Sequence, residues 1–208
     1  TTAIGNLGAS YIRFSYAFPI AWLFSLLYNN YTGTALPDLT VTFWIWINLA
    51  ALTQVIFTIL LVTLFSHRSF AAAVAFSKTE VLQTAIFEAL ILGVVVTLQT
   101  GAAIALGVFA TVLLSFSKAN LALTNLRAAI FSRQVAIGLA AGAFLGFCTV
   151  CYGAALHSII GGDVIGNAMY AAAIGTTIQA FCFGIYIFIV RREQFIASFV
   201  EWRQCSMA

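Results

Sequence analysis

The chain has 208 residues, of which nine are Lys or Arg and six are Asp or Glu. That 7% charge stands against about 25% in an average soluble domain, while 62% of the residues are hydrophobic and the mean hydropathy is +1.04. Too few charges remain to wet the surface of a soluble enzyme or to make a disordered tail, and a net charge of +3 is too small and too scattered to grip nucleic acid.

A membrane span needs about 20 mainly apolar residues. Six segments qualify: Ala9 to Tyr28, Val41 to Phe65, Ser69 to Leu92, Thr97 to Phe116, Gln134 to Leu156 and Ala168 to Val190. They are apolar all round rather than alternating, so helices are expected and a barrel is not. The connections are short. Asn29 to Thr40 holds Gly33, Pro37 and Asp38, and Ile160 to Asn167 holds Gly161-Gly162-Asp163; both read as turns. After Val190, the run Arg191 to Arg203 reads as an amphipathic helix on the membrane surface, anchored by Phe residues and Trp202. No signal peptide is visible, and the chain reads as a piece of a longer one.

The basic residues sort by side. Arg68, Lys118, Arg127, Arg133, Arg191, Arg192 and Arg203 fall on one side of a six-span layout, and the loops of the other side hold no Lys or Arg. The positive-inside rule would make the charged side cytoplasmic.

Four charges fall inside spans: Arg13, Lys78, Glu80 and Glu88. Charge in hydrocarbon costs several kcal/mol unless paired or wetted, so each is a candidate functional group. On the third span Ser77, Glu80, Gln83, Thr84 and Glu88 share one helical face, opposite Val74, Val81, Ala85 and Leu92. Such a stripe faces a bundle interior or a water-filled cavity. Lys78 lies off the stripe and either pairs with a neighbouring helix or snorkels. Arg13 near the start of the first span also has a snorkelling reading. Gln54 and Gln179 lie mid-span and fit an inter-helix hydrogen bond as well as a pathway lining. Tyr16, with Tyr11 and Trp22, fits packing or a cavity wall.

Gly138, Gly142 and Gly146 recur every four residues on the fifth span, and Gly153 continues their face. Small residues at this spacing let a second backbone approach, either within the chain or across a homodimer. Cys148, Cys151, Cys182 and Cys205 read as small packing residues. No metal site, cofactor motif or catalytic set is visible in the sequence.

The run from Ala75 to Gly101, AFSKTEVLQTAIFEALILGVVVTLQTG, resembles the EamA domain of the drug/metabolite transporter superfamily. Leu92-Gly93 and Gln99-Thr100-Gly101 match the pattern at the end of a cavity-lining helix and the start of the next, although Val94 stands where the family has an acidic turn residue. Arg13 matches an Arg near the start of the family's second helix. The resemblance implies a ten-helix bundle of two inverted repeats, of which this chain would hold helices two to seven. Residues 1–117 would be the first repeat without its first helix, 118–133 the inter-repeat loop and 134–208 the start of the second repeat. The family's usual topology would put the basic side outside, opposite to the charge rule, so orientation stays open.

The expectation is an all-α membrane protein with six transmembrane helices. It would be a secondary transporter of a small metabolite or drug-like compound in the inner membrane of a bacterium, working by alternating access, with Glu80, Gln83 and Ser77 as polar lining and Lys78 as a nearby charge. A non-transporting scaffold or receptor is the main alternative, and a membrane-embedded enzyme is a weaker one.

Overall fold

The structure is a computed structural model, and it describes residues 5–33, 37–65, 79–93, 97–119 and 133–200. Hydrocarbon offers no partner for a backbone amide, so a chain this apolar closes its hydrogen bonds within helices. The helices are α1 (Gly5–Thr32), α2 (Val41–Phe65), α3 (Glu80–Phe87), α4 (Leu98–Ala119), α5 (Arg133–His157), α6 (Val164–Val190) and α7 (Arg192–Val200). Among the described residues, three stretches are long and apolar enough to cross a membrane: Val41–Leu64, Val135–His157 and Val164–Val190. The longest of them, 27 residues, spans about 40 Å at 1.5 Å per residue. α1 is longer still at 28 residues but more polar, and it runs helically through Pro19.

The expected third span is described only from Thr79 onwards, and residues 69–78, with Ser77 and Lys78, lie outside the described residues. What is described departs from a regular helix. α3 lasts eight residues, then Glu88–Leu92 widens into a π-helical turn that Gly93 ends at φ 66°. The αL conformation there suits glycine and stops the helix.

Two compact units emerge, residues 1–55 with 151–208 and residues 56–150. In the first, α1 packs along α6 through aromatic rings. Phe14 and Tyr11 meet Phe183 edge-on at 6.0 and 6.4 Å, and Trp22 meets Tyr170 at 5.6 Å. The Trp22 indole N–H donates to Thr177 Oγ1 at 2.8 Å, so its one polar atom is satisfied in an apolar setting. Gly184 leaves room for the Tyr11 ring, which a Cβ would approach to 3.0 Å. α7 closes this cluster: Phe195 lies tilted and Phe199 edge-on against Tyr11, and the Gly8 amide donates to Gln194 Oε1 at 3.3 Å. The helix expected after Val190 is therefore present and tied to α1. A second knot buries Phe43, Ile47, Ala155, Ala171 and Ile174 between α2, α5 and α6.

The two connections expected as plain turns do more than turn. Asp38–Leu39 (β1) and Ile159–Ile160 (β2) pair antiparallel, Asp38 with Ile160 and Leu39 with Ile159. The Thr40 hydroxyl adds to the tie by donating to the Ser158 carbonyl at 2.9 Å and accepting from the Phe43 amide at 3.1 Å, where it caps α2. Gly161 and Gly162, at φ 79° and 71°, reverse the chain into Asp163. Asp163 caps α6 by accepting from the Gly166 amide at 3.1 Å, and the same carboxylate oxygen accepts from the Tyr28 hydroxyl at 2.8 Å. The end of α1 is thus pinned to the start of α6.

The Tyr28 hydrogen bond, followed by the Gly166 amide, holds the Asp163 carboxyl below its usual range. A carboxyl with a lowered folded-state pKa contributes stability above its unfolded value of about 4 and loses it as pH falls through the folded value. Thermal unfolding of the protein in detergent should therefore show a fall in Tm at acid pH that Asp163→Asn diminishes, since Asn still caps the helix but does not titrate. Asp163→Ala should lower Tm at neutral pH as well. An unchanged Tm in Asp163→Ala would show that the pin is energetically idle.

Candidate functional site

The polar stripe expected on the third span can be followed from Thr79 to Glu88. Gln83 sits one turn above Thr79 and donates its amide nitrogen to Thr79 Oγ1 at 3.1 Å and to the Leu139 carbonyl of α5 at 3.4 Å. A backbone carbonyl only accepts, so this contact fixes which end of the amide is nitrogen. Gln83 Oε1 then points the other way, buried and without a hydrogen-bond partner among the described residues. Thr84 turns its hydroxyl back onto the Glu80 carbonyl at 2.8 Å. That bond relieves the hydroxyl of needing a partner elsewhere and exposes less polarity to α5.

Gly146 explains how α5 comes so close. A Cβ there would stand 2.9 Å from Thr84 Oγ1, 3.0 Å from the Thr84 amide nitrogen and 3.2 Å from the Glu80 carbonyl. Two of these three atoms are backbone, so moving a side chain alone cannot relieve the contact. Phe87 continues the face, meeting Phe147 edge-on at 5.6 Å. The Gly spacing in α5 therefore serves packing within the chain at Gly146. It does not do so at Gly153, where a Cβ would meet nothing within 4 Å. The other side of α3 is apolar: Leu82, Ala85, Ile86 and Ala89 form with Gly101 and Ile104 of α4 a groove of about 440 Å³.

Glu80 and Glu88 are half-buried, at the first turn of α3 and at its junction with the π turn. The Gly93 amide reaches the Glu88 carbonyl five residues back, which is where the regular ladder has widened. Such turns occur frequently at functional sites because they displace the side-chain register.

The remaining candidates lie in the other unit. Gln179 is 2% exposed on α6 and donates to the Tyr152 hydroxyl at 3.5 Å, with Gly175 leaving space for that phenol. This is the inter-helix role. Gln54 and Tyr16 are half-buried, and Arg13 is exposed on α1, next to Phe14, which faces α6. Cys148 and Cys151 are buried in α5, as small packing residues are, whereas Cys182 is exposed.

One polar constellation has no counterpart among the residues singled out from sequence. Tyr28, Asn29, Asp163, Asn167 and Tyr170 line a small cleft of about 20 Å³ where α1 ends and α6 begins. An Asp just before a long apolar run is a helix-start signal, but its meeting with Tyr28 depends on the packing of two helices far apart in sequence.

No family model, curated protein or solved structure matches the chain.

The close approach at Gly146 yields a paired test. Gly146→Ala should destabilise the protein by about 1–3 kcal/mol through overpacking. Gly153→Ala, with open space around it, should be neutral or stabilise by up to about 1 kcal/mol through helix propensity. Unfolding of both variants in mixed micelles by increasing sodium dodecyl sulfate measures the difference.

Proposed function

We propose that this chain is the helical membrane part of a secondary transporter for a small metabolite or drug-like compound, working by alternating access without chemical conversion of its cargo. The observation that carries this reading is Gln83: a buried amide oxygen, oriented by its own donor end and left without a partner, on a helix that also carries Glu80 and Glu88. Groups of this kind are expensive in hydrocarbon and are found where a polar cargo or ion passes. Packing alone would favour an apolar residue there.

Two further features support the reading. α3 is interrupted by a π turn, and discontinuous helices are the usual builders of transport sites at mid-membrane. The sequence of α3 and the start of α4 also resembles the EamA pattern, which is the basis for proposing a drug/metabolite-type transporter of ten helices and a bacterial inner membrane location. A six-crossing layout agrees with the β1–β2 ladder, because the connections it joins would be separated by four crossings and so share a side.

In this mechanism the Gln83 oxygen accepts from an N–H or O–H of the cargo, and Glu80 supplies negative charge or a titratable site for coupling. The apolar groove between α3 and α4 leaves those helices free to slide against one another, since no polar bond bridges it among its lining residues.

An aqueous pathway can be detected without knowing the cargo. With the native cysteines replaced, Gln83→Cys and Thr84→Cys should react with a membrane-impermeant methanethiosulfonate reagent, and Leu82→Cys on the apolar side should not. A scaffold packed dry along α3 would protect all three positions, which would overturn the transporter reading.

A further inference from the structure

We propose that the junction of α6 and α7 binds an anionic phospholipid, with the Arg191 and Arg192 guanidinium groups on its phosphate and an exposed ridge of α6 under its acyl chain. The site needs α6 to cross the membrane and takes nothing from the transport reading, since it lies in a different unit from Gln83.

Charge is unevenly placed in this unit. Its described basic residues are Arg13, Arg191 and Arg192, and its described acids are Asp38, Asp163 and Glu193. The Tyr28–Asp163 bond joins the end of α1 to the start of α6, and Asp38 pairs with Ile160 just before that start. The Gly8–Gln194 bond joins the beginning of α1 to α7. Asp38 and Asp163 therefore sit at one end of the helix pair, and Arg191, Arg192 and Glu193 at the other. Arg13 lies about 7.5 Å further along α1 than Gly8, within snorkelling reach of the basic end.

The guanidinium groups of Arg191 and Arg192 are exposed and form no hydrogen bond or ion pair among the described residues. Glu193, next in the chain, leaves both unpaired. Arg192 rests on an aromatic ring instead, its guanidinium carbon 5.4 Å from the Phe188 centroid. The ring takes one face of the planar group and leaves its N–H edges open. An open guanidinium fork matches the oxygens of a phosphate.

Position makes that phosphate a lipid's. Arg191 ends α6, a 27-residue apolar helix, at a break where its backbone leaves the helical region (φ −143°, ψ 61°). Arginines at the end of a span lie at headgroup level. Phe188, under Arg192, is the top of an exposed apolar ridge that continues through Ile185 to Phe181 on one face of α6. The ridge runs about 10 Å into the bilayer, a surface that an acyl chain covers and a soluble phosphate does not. Ile196 and Phe199 of α7 are exposed as well and add apolar surface at the interface. Net charge then chooses among lipids. Arg191, Arg192 and Glu193 together carry +1, which a headgroup of charge −1 neutralises, whereas a zwitterionic headgroup brings a further cation up to two arginines.

Native mass spectrometry of the full chain, released from detergent micelles titrated with palmitoyl-oleoyl phosphatidylglycerol or phosphatidylcholine, resolves each bound lipid and tests this. The first phosphatidylglycerol should bind about tenfold tighter than the first phosphatidylcholine. Arg192→Gln should weaken it about fivefold, and Arg191→Gln with Arg192→Gln about 25-fold, at a factor of about five per arginine near the lipid surface. The double variant should bind phosphatidylcholine as the unaltered chain does, which reports an intact fold. Arg133→Gln, at an exposed arginine of the other unit, should leave phosphatidylglycerol binding unchanged. Equal first binding of the two lipids, undiminished phosphatidylglycerol binding by the double variant, or an equal loss in Arg133→Gln would overturn the proposal. So would displacement of the lipid by an equal concentration of sn-glycerol 3-phosphate, which would indicate a site for soluble phosphate esters.

Discussion

An unpaired amide or carbonyl in hydrocarbon costs several kcal/mol, and this single constraint organises the chain. It makes the apolar stretches helical, and it explains what their hydroxyls do. Thr53, Thr63, Thr84, Thr149 and Thr176 each return a hydrogen bond to the carbonyl one turn back, so they sit in apolar helices without a polar demand on their surroundings. The Trp22 indole and the Gln179 amide are satisfied across helices instead. Against this background Gln83 Oε1 stands out as a buried acceptor with no hydrogen-bond partner among the described residues.

The same constraint separates what sequence can reveal from what it cannot. α2 runs from Val41 to Phe65 as its hydropathy indicates, because a long apolar run between a Thr cap and a polar link has no other low-energy option. α1 and α6 extend past their apolar cores, to Thr32 and from Val164, since polar residues remain helical where water can reach them. The short helix α7 was legible from its sequence pattern, although its packing on Tyr11 was not. The β1–β2 ladder was not: two-residue strands have no periodicity, and their partners lie more than a hundred residues apart. The π turn at Glu88–Leu92 left no mark in the composition either, although Gly93 marked its end.

For the candidate site, the face shared by Glu80, Gln83 and Thr84 was readable from helical spacing, and so was the role of small residues in α5. Which glycine makes a close approach was not, because Gly146 and Gly153 share a face, yet Gly146 meets the α3 backbone and Gly153 has open space around it. The Asp163 cleft depends on a tyrosine and an aspartate brought together by packing. A turn signal at Gly161-Gly162 gave the chain reversal but not its partner. Sequence thus located polarity along each helix, and tertiary contact determined which polar atoms were left over.

The six-crossing layout proposed above puts α3 and α4 across the membrane, with the β1–β2 ladder and the Asp163 cleft on the side that lacks basic residues. The most direct measurement is sidedness of cysteine labelling in sealed vesicles by an impermeant maleimide, in a chain whose native cysteines have been replaced. Tyr31, Leu98, Ile160 and Arg192 are all exposed and serve as reporters. The account predicts that Tyr31→Cys, Leu98→Cys and Ile160→Cys label from one side and Arg192→Cys from the other. Labelling of Leu98→Cys from the Arg192 side would contradict it, because α3 and α4 would then not cross.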